Sequence, residues 1–141
     1  MKKLMIRKKI TLLSILLFGL TWSTVALASS YTIPLNFAHE LTSVPRYFDD
    51  QNIAFEATPI TYPDSHYPNA QPQDSIYKIT LYRYNGGWPN GNDNIGSVIL
   101  PRNSFGKAAW SNVGPGNYFL FFEKTKDRII VDANNATIYN Y

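Results

Sequence analysis

Cysteine is missing from the chain, and histidine occurs only at His39 and His66. The first absence excludes a disulfide framework, a thiol nucleophile and any thiolate metal centre. Charge is sparse at 16% of residues, and the formal +3 is concentrated at the start. Lys2, Lys3, Arg7, Lys8 and Lys9 supply 5 of the 13 basic side chains, so residues 29–141 carry 8 basic against 10 acidic, a net of −2. A polyanion-binding surface needs a basic excess, so no nucleic-acid partner is expected. Long helical periodicity is also lacking. So are a G-x-S-x-G elbow, an H-E-x-x-H helix and a phosphate-binding loop.

The first 28 residues read as a secretory signal peptide. A basic start leads into the apolar run Ile10 to Leu20, and Ala26-Leu27-Ala28 forms a small-residue cleavage site before Ser29. The competing reading is an uncleaved anchor, because Ile10 to Ala28 nearly reaches spanning length. Thr21, Ser23 and Thr24 interrupt that stretch and favour cleavage. The expected product is an exported, secreted or extracellular chain, residues 29–141, with no stable membrane insertion.

Alternation of apolar and polar residues dominates that product. Tyr31, Ile33, Leu35 and Phe37 mark one strand, with Pro34 assigning it to a sheet edge because proline cannot donate to the ladder. Residues 38–52 are ambiguous and hold one short turn at most. Ile53, Phe55 and Ala57 alternate again, whereas residues 58–74, with Pro59, Pro63, Pro68 and Pro72, read as a long surface loop. Strands follow at Ile76 to Tyr84, Ile95 to Leu100, Gly106 to Asn112 and Asn117 to Lys124. The last has aromatics on both faces, which implies burial on two sides. Asn134-Asn135 is read as a turn separating Ile129 to Val131 from Thr137 to Tyr141. These signals predict an all-β fold: one small β-sandwich of seven or eight mostly antiparallel strands. Lys78, like Pro34, reads as a guard against edge pairing.

The segment Trp110-Ser111-Asn112-Val113-Gly114-Pro115-Gly116-Asn117-Tyr118-Phe119-Leu120 resembles a run found in prealbumin-like and Cna-B-type secreted β-sandwich modules. The resemblance covers residues 105–124. It implies that the aromatic ends one strand, Pro-Gly makes the corner and Tyr opens the next strand over the core. It implies a fold and a scaffold role, and names no active residue.

Few constellations could carry chemistry. His66 follows Asp64 and Ser65, but triad members converge from separate elements, so adjacency is no argument for a Ser-His-Asp site. The carboxylates a small hydrolase would need are Asp49-Asp50, Glu56, Asp64 and Asp74 in the irregular first half and Glu123, Asp127 and Asp132 in the strand-rich second half, without a spacing that pairs them. The loop Asn90 to Asn94 alternates oxygens yet offers one carboxylate, Asp93, which falls short of a calcium set. No metal and no cofactor are therefore expected, and the chain is read as a non-enzyme.

Aromatic content is what exceeds expectation. Residues 29–141 include nineteen Phe, Tyr or Trp, among them all ten tyrosines. Trp88 sits in NGGWPNGN, where no strand pattern turns it inward. Tyr82, Tyr84 and Trp88 together are the candidate ligand-binding platform for a sugar ring or a partner's apolar anchor. The expected function is a small exported non-catalytic binding module, acting at the cell envelope or in the medium on a protein or cell-wall glycan. The alternative is a secreted effector, an enzyme inhibitor or bacteriocin-like toxin, with residues 58–74 held extended by their prolines as its active segment.

Overall fold

A computed structural model of the protein describes residues 28–87 and 91–141. The expected leader, apart from its last residue, therefore lies outside the described residues, as does Trp88. The chain runs through ten strands: β1 (Ser30–Phe37), β2 (Glu40–Thr42), β3 (Arg46–Phe48), β4 (Ile53–Ala57), β5 (Ile60–Pro63), β6 (Ile76–Arg83), β7 (Asp93–Pro101), β8 (Gly106–Trp110), β9 (Gly116–Glu123) and β10 (Ile129–Asn140). They form two five-stranded antiparallel sheets, a small β-sandwich. In sheet A, β10 lies between β1 on one side and β4 and β5 on the other, with β8 beyond β4. In sheet B, β9 lies between the short strands β2 and β3 and the long β6, with β7 beyond β6. Among the described residues, no helix is long and apolar enough to cross a membrane.

Side-chain alternation explains both layers. Tyr77, Ile79 and Leu81 of β6 and Tyr118, Leu120 and Phe122 of β9 face inward from sheet B. Leu35, Phe37, Phe55, Val131 and Ile138 meet them from sheet A. Trp110 closes one side of the sandwich by donating Nε1–H to the Gly96 carbonyl at 3.1 Å. Gly96 holds φ +156° at a bulge in β7, with the indole 3.5 Å from where a side chain would begin.

Four expectations are corrected. The strand number is ten, because residues 38–52 hold β2 and β3, and the 58–74 segment opens with β5. These short strands are fixed by distant partners, β9 and β10, rather than by their own pattern. Asn134-Asn135 is a bulge within one continuous strand. Ile33 pairs with Ala136 and Leu35 with Ala133, so one extra β10 residue lies opposite Pro34, which has no N–H to offer. Pro34 does lie on an edge strand. Lys78 does not, since β6 is paired on both sides and Lys78 bridges to Glu123 at 3.0 Å.

The corner between β8 and β9 follows the expected logic. Trp110 ends β8, Gly114 takes φ +74° and Tyr118 enters the core fully buried. The Tyr118 hydroxyl lies 2.6 Å from the Val113 carbonyl and 2.7 Å from that of Gly114. Such a tyrosine pins the chain upstream of its own strand. Arg83 donates Nε–H to the same hydroxyl at 3.0 Å and its guanidinium to the Val113 carbonyl, joining β6 to the corner. Tyr118→Phe removes the shared oxygen and leaves buried donors and acceptors short of partners. It is expected to lower stability by about 1–3 kcal/mol, read as a shifted urea midpoint with unchanged slope.

Candidate functional site

Even-numbered residues of β6 face outward, and so do the β9 residues opposite them. Phe119 pairs with Tyr82, Phe121 with Thr80 and Glu123 with Lys78. An outer sheet face in water ordinarily carries polar side chains. Here Phe119 is only 2% exposed although it points away from the core. Tyr82 stacks on it, with centroids 5.3 Å apart and planes 11° from parallel. Tyr84, just past the end of β6, meets it edge-on at 6.4 Å and 76°. Tyr84 is held there by its N–H to the Asn117 carbonyl, 2.8 Å.

The opposite wall comes from the link between β2 and β3. Ser43 donates its N–H to the Leu120 carbonyl at 2.9 Å and accepts the Leu120 N–H on Oγ at 2.9 Å. Its hydroxyl proton is left to point elsewhere. Thr42, Ser43, Pro45, Tyr84 and Phe119 line a groove of about 240 Å³. Its lining contains apolar rings and hydroxyls and no ionisable acid or base other than the Tyr84 phenol. Tyr84 remains 40% exposed, so its ring is both anchored and accessible.

The structure thus brings Tyr82 and Tyr84 together around Phe119, while Trp88 lies outside the described residues. Beside them, Asn85 donates its N–H to Asn92 Oδ1 at 3.1 Å and its amide to Asp93 Oδ2 at 3.0 Å, closing the hairpin base. Two oxygens of the calcium-like loop are therefore occupied as acceptors. Phe119, Thr42, Ser43 and Pro45 were not legible as site residues. The signal was an aromatic on each face of β9, which two-sided burial would also produce.

Elsewhere, Asp74, Lys78, Glu123 and Lys124 line a second pocket of about 240 Å³, and the remaining chemically capable residues lie apart. His66 Nδ1 sits 3.0 Å from Asp64 Oδ1 within one exposed turn. Hydrogen bonds from the His66 backbone and ring lower the Asp64 carboxyl below its ordinary range. Glu56 accepts from the Tyr139 hydroxyl at 3.1 Å on sheet A, whereas Glu123 lies on the outer face of sheet B. His39 Nδ1 meets the Lys124 carbonyl at 2.8 Å. Among the described residues, no three His, Asp or Glu side chains gather as a metal-ligand group. The segment after β5 is turned rather than extended: Tyr67 N–H bonds the Asp64 carbonyl and Ala70 N–H the Tyr67 carbonyl. The Arg128 guanidinium stacks 3.8 Å from the Tyr67 ring centroid.

No protein-family model matches the chain, and no curated protein is significantly similar to it. Among solved structures it is similar to the Aeromonas hydrophila periplasmic inhibitor of g-type lysozyme, PliG. The TM-score is 0.37 and the identity 7%, over 86% of this chain and 91% of that one. It is also similar to the Yersinia pseudotuberculosis-derived mitogen, at TM-score 0.33 and 12% identity over 82% and 85%. A third likeness is to TmCBM61, solved with β-1,4-galactotriose, at TM-score 0.30 and 8% identity over 83% and 79%. At such scores these likenesses carry no argument about this chain's site.

Proposed function

We propose that the protein is an exported non-catalytic binding module, its leader removed on export, that holds a neutral glycan in the groove beside Tyr84. The groove itself carries this reading. The exposed Tyr84 ring, backed by the covered Phe119, presents an apolar face to the C–H side of a sugar, and Thr42 and Ser43 present hydroxyls to its polar rim. A lining without acidic or basic side chains suits an uncharged ligand better than an acidic or basic peptide. Among the described residues no carboxylate lines the groove, which supports binding over hydrolysis there, because glycoside cleavage needs two carboxyls about 5–9 Å apart across one cleft.

Titration of the purified protein with neutral cello-, xylo-, galacto- and chito-oligosaccharides, followed by calorimetry, tests the reading. At least one series is expected to bind, and Tyr84→Ala to weaken it about tenfold, the scale of one lost aromatic contact. Tyr62→Ala, on sheet A and equally exposed, is expected to change nothing. Absence of binding in every series, or binding indifferent to Tyr84→Ala, would refute the proposal.

A further inference from the structure

Sheet B ends in β7, whose outer margin makes no ladder with any described strand, although β8 of sheet A lies alongside it and Trp110 donates to its Gly96 carbonyl. Among the described residues β7 pairs with β6 alone, and the direction of its backbone groups can be worked out from two hydrogen bonds beyond the ladder. Arg102 N–H bonds the Ser75 carbonyl at 2.9 Å, so residues 75 and 102 are a hydrogen-bonded pair continuing the β6–β7 register. Alternation then makes Tyr77–Leu100, Ile79–Val98 and Leu81–Gly96 hydrogen-bonded pairs as well. Independently, the Tyr84 N–H to Asn117 carbonyl bond turns even-numbered β6 residues toward β9, leaving odd ones for β7. Both bonds give one answer. The N–H and C=O groups of Ser97 and Ile99 point away from the sheet.

The ends of this window are defined. Pro101 has no N–H, and the register shift opposite Leu81 and Tyr82 inserts Ile95 as an extra residue in β7. Other margins carry devices against pairing. β1 has Pro34, β8 has Lys107, and β2 and β3 are three-residue strands separated by Pro45. Between Asn94 and Leu100, β7 has no charged residue, and its Ile99 is 62% exposed beside Ile76 at 42%.

We propose that β7 is a self-association edge, pairing antiparallel with β7 of a second copy about a two-fold axis at Val98. That axis sets Ser97 opposite Ile99 of the other copy, twice. Every N–H and C=O directed outward in the window then finds its complement, giving four backbone hydrogen bonds. Ile99 gains cover on the outer face. The window complements itself, and an uncharged strand does not repel its own copy, which singles out a second copy over a foreign strand. Because the two-fold uses one edge on both partners, association closes at two and does not propagate. The inference is independent of the groove.

Sedimentation velocity of the purified protein over a range of concentrations tests it. The weight-average mass is expected to rise with concentration toward twice that of the monomer. Ser97→Pro deletes an N–H that makes no bond within its own subunit, and Ile99→Lys adds charge on an exposed position. Each is expected to weaken dimerisation at least tenfold while the β-sheet circular dichroism is retained. A monomer at every concentration overturns the proposal. So does a dimer indifferent to both substitutions, or a monomer that instead captures an unrelated extended peptide on β7.

Discussion

Asp127→Asn is expected to remove about 3–5 kcal/mol of stability, much of what holds an ordinary domain together. The Asp127 side chain is fully buried between two cations, 2.6 Å from Arg102 Nη1 and 2.6 Å from Lys124 Nζ. It also accepts the N–H groups of Gln73 at 3.1 Å and Ile129 at 3.2 Å. Arg102 is committed elsewhere too, to the Ile76 carbonyl at 2.8 Å and to Asp74, which itself accepts from Thr125. With Asp127 neutral, Arg102 keeps only the partly exposed Asp74 as counter-charge and Lys124 keeps only the Thr125 carbonyl, and an uncompensated buried charge is the costly species. Equilibrium urea unfolding measures the loss. Replacing the cluster together (Arg102→Met, Lys124→Met and Asp127→Leu) is expected to cost less than Asp127→Asn alone, because no buried charge is left unmatched and only the Gln73 and Ile129 N–H groups and the Ile76 carbonyl lose a partner.

Acid should act on the same group. Burial pushes the Asp127 carboxyl up, but hydrogen bonds from Lys124, Arg102 and the two backbone amides outweigh it and hold the group well below its ordinary value. Asp74 is shifted the same way, burial again opposing the donors that prevail. In the unfolded chain both carboxyls return to about 4, so there they take up protons first as pH falls. Their contribution is fully present above that range and is lost as pH drops through it toward the folded values. Thermal melts should therefore fall steeply below about pH 4 in the native protein and less steeply in the triple variant.

Phe122→Ala is expected to cost about 3–5 kcal/mol, the range for truncating a buried aromatic. Phe122 is completely buried at the centre of the sandwich. Its ring meets Phe55 at 5.5 Å and Phe37 at 5.9 Å from sheet A, and Tyr77 at 6.4 Å from its own sheet. Removing it empties the space through which the two layers touch, and neighbours held by their strands collapse into it only partly. Phe121→Ala, one residue away on the outer face and half-buried, should cost far less. The contrast between these adjacent positions in one urea series is the measurement.

Much of this arrangement was legible in the sequence because alternation fixes a strand's faces before its partner is known. Ile53, Phe55 and Ala57 gave β4 that way, and Tyr77, Ile79 and Leu81 gave the buried face of β6. The parity that turns those three inward turns Tyr82 outward, so part of the candidate site was visible too. What the pattern could not give depends on distant pairing. Ile60 to Pro63 becomes β5 only because Ile129 to Asp132 lies beside it, and its proline, Pro63, fits the end of an edge strand as well as a loop. Thr42, Ser43 and Pro45 reach Phe119 through the β2–β9 register, a relation across more than seventy residues that local composition does not encode. Aromatics on both faces of β9 pointed to double burial. Of the two outward ones, Phe121 is half-buried and Phe119 is covered, though by Tyr82 and Tyr84 rather than by a third layer.

The placement of β10 governs when this protein can fold. Sheet A draws its spine from residues 129–140, and Ser30 waits for Tyr139 as its opposite number. During synthesis, β1, β4 and β5 emerge well before the strand that joins them, so the layer assembles only once translation has passed Asn140. Such distant closure belongs to the slow class of topologies, with folding times of milliseconds to seconds. A ribosome stalled before Ile129 would hold a nascent chain with its margins open to aggregation.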